Sequence, residues 1–175
     1  MSASRHLVDP ELAPLLELFP TTLLSDASLA EARARKLEFP IDPEADAAVS
    51  MERHTIPGPG GEIAVYSLRP NAVSARLGCI LHIHGGGYVM GSAETMAPLR
   101  KPLVQALGCA MVSVEYRLAP ETAAPGAVED CYAALAWAAD HAAELGATGP
   151  AGVMGESAGG TLAAVACLMR SSERV

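Results

Sequence analysis

The stretch GVMGESAGGTLAAVACLMR, residues 152–170, predicts a buried strand that passes into a helix through a serine flanked by glycines. Gly155, Ser157 and Gly159 form a G-x-S-x-G pattern, which is weak alone and gains weight from this strand–serine–helix context. At such a sharp turn the glycines prevent clashes between strand and helix, and the serine hydroxyl projects from the edge of the sheet. The pattern therefore indicates a nucleophilic serine, with the N–H of Ala158 pointing the same way.

A second motif follows an earlier apolar run, where His84 precedes three glycines, Gly85, Gly86 and Gly87. Successive glycines let the backbone approach a ligand closely and turn N–H groups toward it. In acyl transfer such donors, together with the N–H of Ala158, stabilise the charge that develops on the carbonyl oxygen; one donor lowers the barrier by about 2.7–4 kcal/mol. Which of the three glycines donate stays open at this point.

Apolar runs and helical patterns alternate through the second half of the chain. This alternation predicts an α/β fold with a mostly parallel sheet, right-handed crossovers and helices on both faces. The predicted strands are 78–84, 109–117 and 151–156, and the predicted helices are 93–107, 127–145 and one that starts at Ser157. Both motifs then lie beyond the carboxyl ends of parallel strands, where open sheets of this kind form their sites.

The first half of the chain has a different pattern. Residues 51–69 alternate around PGPGG and predict an antiparallel hairpin at one edge of the sheet. Helices are predicted at 9–19 and at 26–37, the second capped by Ser25 or Asp26, and proline-punctuated residues 40–49 are interpreted as a linker. We therefore predict a helical segment with its linker at 1–50 and a core at 51–175.

Composition limits the partners of this chain. A formal charge of −8 over 175 residues argues against non-specific binding to nucleic acid or to an anionic membrane surface. No apolar run is long enough to span a bilayer, and the first residues lack the apolar core of a signal peptide, so we expect a cytoplasmic protein. The four cysteines lack zinc-type spacing and are interpreted as buried, reduced thiols.

Other interpretations of the glycine motifs fit less well. As a dinucleotide loop, HGGGYVMG lacks G-x-G-x-x-G, although Glu115 ends the next strand where a ribose-binding acid could lie. As a phosphate loop, GESAGGT lacks a lysine before Thr161. Two tight turns without chemistry are the remaining alternative, which two motifs at equivalent strand ends disfavour.

Three segments together resemble one family. HGGGYVMG (84–91), YRLAPE (116–121) with Pro125 and Asp130, and GESAGG (155–160) resemble the N-terminal part of the hormone-sensitive-lipase-type carboxylesterases of the α/β-hydrolase fold. The resemblance implies an N-terminal helical cap over the acyl pocket, a small ester substrate, and neither cofactor nor metal.

The same resemblance implies roles for individual residues. Ser157 would be the nucleophile, and Gly85, Gly86 and Gly87 would form the oxyanion hole with Ala158. His84 would brace the glycine loop, and Glu156 stands where the family more often has aspartate. Tyr116, Arg117 and Glu121 are interpreted as residues that fix the neighbouring loop, with solvated surface charge as the alternative.

The chain departs from the family after Ser157. Such enzymes place an aspartate and then a histidine after the serine, whereas here the only later acidic residue is Glu173 and no histidine follows. None of the five histidines is predicted to reach Ser157. We therefore expect a chain that lacks the C-terminal strands and is inactive alone, with an apolar strand edge open to a second copy or to a complementing C-terminal fragment.

Two other functions stay open. A non-catalytic ligand-binding protein can use the same fold, as the gibberellin receptors of plants do after losing the triad histidine. An amide or formamide hydrolase would use the same groups as an ester hydrolase, so the sequence does not separate the two.

Overall fold

The computed structural model describes residues 5–14, 24–35, 40–72 and 77–172, with the backbone alone at 5, 77 and 148–151. Contacts divide the chain into two compact units, Met1–Arg35 and Lys36–Val175. The domain boundary expected after residue 50 stays a prediction.

The first unit contains a short 3₁₀ turn, Arg5–Leu7, and helix α1, Asp26–Ala34. Ser25 caps α1 reciprocally: its hydroxyl accepts from the N–H of Ser28, and the Ser28 hydroxyl accepts from the N–H of Ser25. Residues 10–14 form turns in place of the start of the helix predicted at 9–19, and residues 15–19 lie outside the described residues.

Where the structure describes the second unit, it is built on a sheet of five strands. Its strands are β1 (Val49–Gly58), β2 (Gly61–Pro70), β3 (Leu77–Ile83), β4 (Ala110–Val114) and β5 (Ala147–Gly155). They are arranged in the order β1-β2-β4-β3-β5. β1 and β2 form an antiparallel hairpin, β2 pairs antiparallel with β4, and β3 pairs in parallel with β4 and β5. This arrangement confirms the predicted parallel core with a hairpin at one edge.

The described residues of this unit form five helices: α2 (Pro43–Ala48), α3 (Ala93–Met96), α4 (Lys101–Leu107), α5 (Gly126–Asp140) and α6 (Ala158–Ser172). A 3₁₀ turn, Ala97–Arg100, joins α3 to α4. The single helix expected at 93–107 is therefore wrong: Pro98 and Pro102 lack the N–H that would continue an α-helical ladder, and the segment breaks into three pieces.

The interpretation of residues 40–49 as a linker is also wrong. Pro43 begins α2, and the Asp42 carboxylate caps it by accepting from the N–H groups of Glu44 and Ala45. The Lys101 ammonium donates to Asp46 Oδ1 at 2.6 Å and so ties α2 to α4. Proline is favoured at the first turn of a helix, so the pair Asp42-Pro43 indicates a helix start as well as a break in the preceding structure.

Hydrophobic clusters cover both faces of the sheet, as predicted. On one face α5 and α6 pack on alternate residues of β3, including Leu81 and Ile83. On the opposite face α3 and α4 pack on Leu68 and Met111, with Ile80 against the same cluster. The period-2 alternation along β3 therefore places His82 on the face of α3 and α4.

Two features of the open side of the sheet follow from the strand order. β5 is an edge strand of the sheet in the described residues. On α6, Val165 and Leu168 are exposed, the latter by 67%. Cys167 on the same helix is exposed as well, whereas Cys79, Cys109 and Cys131 are buried. The prediction of four buried thiols is therefore wrong for Cys167.

Candidate active site

The turn between β5 and α6 holds Ser157 in a backbone conformation that residues other than glycine rarely adopt, with a φ of +53°. Glycines make this turn possible. A Cβ on Gly155 would collide with the carbonyl of Gly159, and a Cβ on Gly159 would collide with the carbonyls of Ile83 and His84. The strained strand–serine–helix turn predicted from the sequence is therefore present, and Ala158 is the first residue of α6.

The glycine loop after β3 is also turned by unusual backbone angles. Gly86 and Gly87 have φ values of +127° and +62°, and Tyr88 continues the run at +65°. The carbonyl of Gly86 accepts from the N–H groups of Val89 and Met90 at 3.2 and 3.0 Å, which closes the turn. The loop therefore bends sharply as soon as β3 ends.

The two motifs lie against each other at the same end of the sheet. A Cβ built on Gly85 would be 2.8 Å from the carbonyl oxygen of Glu156 and 3.5 Å from the Cβ of Ser157. The absence of a side chain at Gly85 therefore lets the loop approach the backbone of the serine turn. The catalytic roles of Ser157, Ala158 and the three glycines stay predictions.

His84 is completely buried at the start of this loop. Burial lowers the pKa of its imidazole, so the ring is neutral, and its Nδ1 lies 2.8 Å from the carbonyl oxygen of Gly85, to which an Nδ1–H donates. The ring stacks on Tyr116 with 4.3 Å between centroids, and the Tyr116 hydroxyl donates to the His84 carbonyl at 2.9 Å. These contacts fit the bracing role that the resemblance implies for His84.

An ion pair fixes the segment that follows β4. Asp130 is fully buried and accepts from the backbone N–H of Arg117 at 3.0 Å and from its guanidinium at 2.8 Å on each oxygen. A bidentate pair of this kind constrains both position and orientation. Arg117 therefore does fix its loop, and it does so through Asp130.

Glu156 turns its side chain toward the α3–α4 face of the sheet. Its carboxylate lies 3.0 Å from His82 Nε2, and Arg100 Nη2 lies 2.8 Å from Glu156 Oε1. His82 Nδ1 contacts the Ser113 hydroxyl at 2.8 Å. Burial lowers the pKa of the His82 imidazole, while Glu156 opposes that shift.

Sequence reasoning missed the role of His82 and Arg100. From the sequence, His82 is predicted only not to reach Ser157, and no role is predicted for Arg100. One signal was available: a histidine inside an apolar strand must find a polar partner, since burying an unpaired ring nitrogen is costly.

The other histidines of the second unit contact other groups. His54 Nε2 lies 2.7 Å from the Ser67 hydroxyl, and His141 Nδ1 lies 2.9 Å from the Trp137 carbonyl oxygen. Within the described part of this unit, no histidine makes a hydrogen bond to Ser157.

Neither a metal-binding cluster nor a membrane-spanning helix occurs among the residues that the structure describes. In residues 5–14, 24–35, 40–72 and 77–172, no three histidine, cysteine or acidic side chains cluster in a way that could hold a metal ion. None of the helices in those ranges has the length and apolar character needed to cross a bilayer.

Comparison with known proteins identifies the family. The model of the α/β-hydrolase fold family matches residues 80–175. The chain belongs to this family, and its relatives place it with the hormone-sensitive-lipase-type carboxylesterases, whose N-terminal portion it matches.

Three relatives illustrate the match. Carboxylesterase NlhH of Mycobacterium tuberculosis is 35% identical over 166 residues, covering 94% of this chain and 52% of the relative. Hormone-sensitive lipase of Bos taurus is 42% identical over 96 residues, or 54% of this chain and 13% of the lipase. The solved structure of a bacterial heroin esterase superposes with a TM-score of 0.83 at 36% identity, covering 99% of this chain and 56% of that one.

The chain spans about half the length of NlhH and of the heroin esterase. The matched half contains the serine turn and the glycine loop.

Proposed function

We propose that this chain carries the nucleophile and the oxyanion donors of a serine carboxylic-ester hydrolase that acts through an acyl-enzyme on small esters. One observation supports this most: the positive φ of Ser157 coincides with the close approach of Gly85 to the same turn. A strained serine beside a loop without side chains is an arrangement that hydrolases need and that a purely structural turn does not.

The reaction would begin when Ser157 Oγ attacks the acyl carbon of the ester. The carbonyl oxygen then gains negative charge, which N–H groups of Gly85–Gly87 and Ala158 would stabilise. The carbonyl re-forms on Ser157 as the leaving oxygen takes up the proton that the serine hydroxyl lost and departs as the alcohol. Water later hydrolyses the acyl-enzyme, which releases the carboxylic acid and restores the serine hydroxyl. Because α6 begins at Ala158, the positive end of the helix dipole would face the developing charge.

Two residues would support this geometry without touching the substrate. His84 would hold the first peptide of the glycine loop through its Nδ1–H and its stacking on Tyr116. Glu156 would anchor the peptide before Ser157 through its side chain.

A general base is needed to take the proton from Ser157. The histidines of the second unit are hydrogen-bonded to other groups, so we propose that these 175 residues turn over esters slowly or not at all by themselves. A base would then come from a second copy or from a complementing segment at the exposed edge formed by β5 and α6. The cytoplasm remains our proposed location.

Two assays on the same preparation test this proposal. A small fluorophosphonate, which reacts irreversibly with nucleophilic serines, should label the peptide that contains Ser157 slowly but selectively, and Ser157→Ala should abolish that labelling. Exposed Ser50 provides the matched control, because Ser50→Ala should leave the labelling unchanged. A short-acyl chromogenic ester should be hydrolysed at the buffer rate.

Two results would contradict different parts of this proposal. Ester turnover that Ser157→Ala removes would refute the proposed inactivity and support the hydrolase. No labelling at Ser157, with labelling at other serines, would contradict its role as nucleophile.

A non-catalytic ligand-binding protein is the second candidate. It is favoured by the same observation that limits turnover, namely that the histidines of the second unit are engaged elsewhere. Saturable binding of a small acyl compound without labelling of Ser157 would support this candidate. If labelling occurs, paired ester and amide substrates offered in the presence of a complementing segment would separate ester from amide hydrolysis.

A further inference from the structure

A charged cluster lies beside the serine turn and is not part of the proposed reaction. It consists of His82, Arg100, Ser113 and Glu156. His82 and Ser113 are completely buried, whereas the side chains of Arg100 and Glu156 are 25% and 41% exposed. A buried imidazole between a guanidinium and a carboxylate needs an explanation beyond packing.

His82 Nε2 has two partners that make opposite demands. Arg100 Nε points an N–H at Nε2 over 3.1 Å, which requires a lone pair on that nitrogen. Glu156 Oε2 lies 3.0 Å from the same atom, and this contact is favourable only when Nε2 carries a proton. A neutral ring with Nδ1–H directed at Ser113 satisfies Arg100, while the Arg100–Glu156 ion pair at 2.8 Å satisfies the carboxylate. Arg100 therefore pairs with two of the other three members, His82 and Glu156.

Glu156 connects this cluster to the backbone around Ser157. Its carbonyl accepts from the N–H of Gly159 at 2.9 Å, and the same oxygen is the atom nearest to a Cβ built on Gly85. The side chain of Glu156 thus holds a peptide that touches both the glycine loop and the first turn of α6. The Glu156 peptide therefore lies between the glycine loop and the start of α6.

We propose that Arg100 is a positioning residue for Ser157: by pairing with Glu156 and with His82, it fixes the Glu156 peptide against Gly85. This inference rests on the proposed function of Ser157. Arg100 also compensates the Glu156 charge, since an unpaired carboxylate next to the serine would oppose a developing oxyanion. Arginine suits this role because its planar fork contacts two partners at once, which the single ammonium of lysine does less well.

The test compares Arg100→Gln, which removes charge and fork, with Arg100→Lys, which keeps the charge. Arg53→Gln is the matched control, because Arg53 is an exposed arginine on β1. Two measurements are made on each protein: the rate of fluorophosphonate labelling at Ser157, and NMR of the Gly85 and Ala158 amides together with the pH titration of the His82 ring. The groups that face His82 are Ser113 on β4, Glu156 after β5, Arg100 and His84.

For Arg100→Gln we expect labelling to slow by about tenfold to a hundredfold, as displacements of about 1 Å do. The Gly85 and Ala158 amide resonances should move, and His82 should titrate at higher pH because Glu156 remains without its cation. Arg100→Lys should restore the His82 titration but only part of the labelling rate. Arg53→Gln should change none of these.

The proposal is overturned if Arg100→Gln leaves the Gly85 and Ala158 amide resonances in place. It is also overturned if the labelling rate of this variant at Ser157 is within about twofold of that of the unmodified chain. A chain that is not labelled at Ser157 at all contradicts the proposed function instead. The amide resonances and the His82 titration still decide whether Arg100 positions this turn.

Discussion

Two regions of the second unit contain buried or half-buried histidines but are packed in different ways. At the carboxyl ends of β3 and β5, which we call the serine end, backbone lies against backbone at Gly85 and Gly159. Between the hairpin and the end of α5, side chains line a cavity of about 570 Å³. There the ring of Trp137 lies 5.3 Å from that of His54 and 4.6 Å from that of His141.

The difference shows where this fold tolerates change. At the serine end a single added carbon meets main-chain atoms, which cannot move without shifting a strand or a helix. In the cavity, an altered side chain meets other side chains and open space, which can adjust. The serine end therefore has no room for an added side-chain atom, because its glycines let backbone lie against backbone. Substitutions there should lower the free energy of unfolding more than substitutions around the cavity do.

The largest expected effect is that of Gly159→Ala. Its Cβ would collide with the carbonyls of Ile83 and His84, so the free energy of unfolding should fall by about 3 kcal/mol. Urea unfolding measures this. Gly78→Ala is the matched control, because no atom lies within 4 Å of a Cβ at that position, and it should change stability by less than about 0.5 kcal/mol. Equal losses in the two variants would remove the contrast between the regions.

Gly85→Ala should have a smaller effect on stability and a strong effect on reactivity. The new Cβ would push against the Glu156 carbonyl, so stability should fall by about 1–2 kcal/mol and Ser157 should no longer be labelled by the fluorophosphonate. Gly152→Ala, whose Cβ would make an ordinary 3.8 Å contact with Ile80, should retain labelling. Normal labelling of Gly85→Ala would show that the loop does not need its close approach.

The buried histidines of the serine end should make stability depend on pH. Burial lowers the pKa of His82 in the folded chain, so between its folded value and the unfolded value of about 6.5 the unfolded chain binds more protons. Stability is therefore greatest above pH 6.5 and falls as the pH drops below it, by at most about 1.4 kcal/mol per pH unit for one group. Urea unfolding at pH 7.5 and 5.5 measures the slope.

His82→Gln should reduce that slope, because the variant lacks the His82 imidazole and only buried His84 still contributes at this end of the sheet. His141→Gln, at the half-exposed end of α5, is the control and should keep the slope of the original chain. An unchanged slope in His82→Gln would assign the acid sensitivity to other groups.

The smallest effect is expected at the cavity. Ser67→Ala removes the 2.7 Å hydrogen bond to His54 Nε2 and should lower stability by about 1 kcal/mol, without changing the labelling of Ser157. Ser50→Ala, at an exposed position of the same cavity, should have less effect on stability. A change in labelling by Ser67→Ala would mean that the cavity and the serine end are coupled.

Much of the fold could be predicted because its signals are local. Apolar runs identified β3, β4 and β5, and the turn residues PGPGG identified the hairpin between β1 and β2. The two wrong predictions in this part of the chain both concern prolines near helix starts. The prolines at 98 and 102 break the helix predicted at 93–107, and Pro43 begins a helix inside the predicted linker.

Part of the candidate site could be predicted from equally local sequence signals. The glycines around Ser157 and after His84 indicated close backbone approach, and the structure has that approach at Gly85, Gly155 and Gly159. The partners of Glu156 could not be read in the same way. His82 and Glu156 are 74 residues apart, and Arg100 lies 18 residues from His82. No spacing rule connects such positions before the strand order is known.

By itself, the amino-acid sequence determined the alternation of strands and helices and the two glycine-rich turns, since both depend on backbone preferences that act within a few residues. Only the tertiary structure decided that the Glu156 side chain pairs with Arg100 and His82, and that Gly85 touches the serine turn. Those contacts follow from the pairing of β5 next to β3, because strand order brings distant segments to one edge of the sheet.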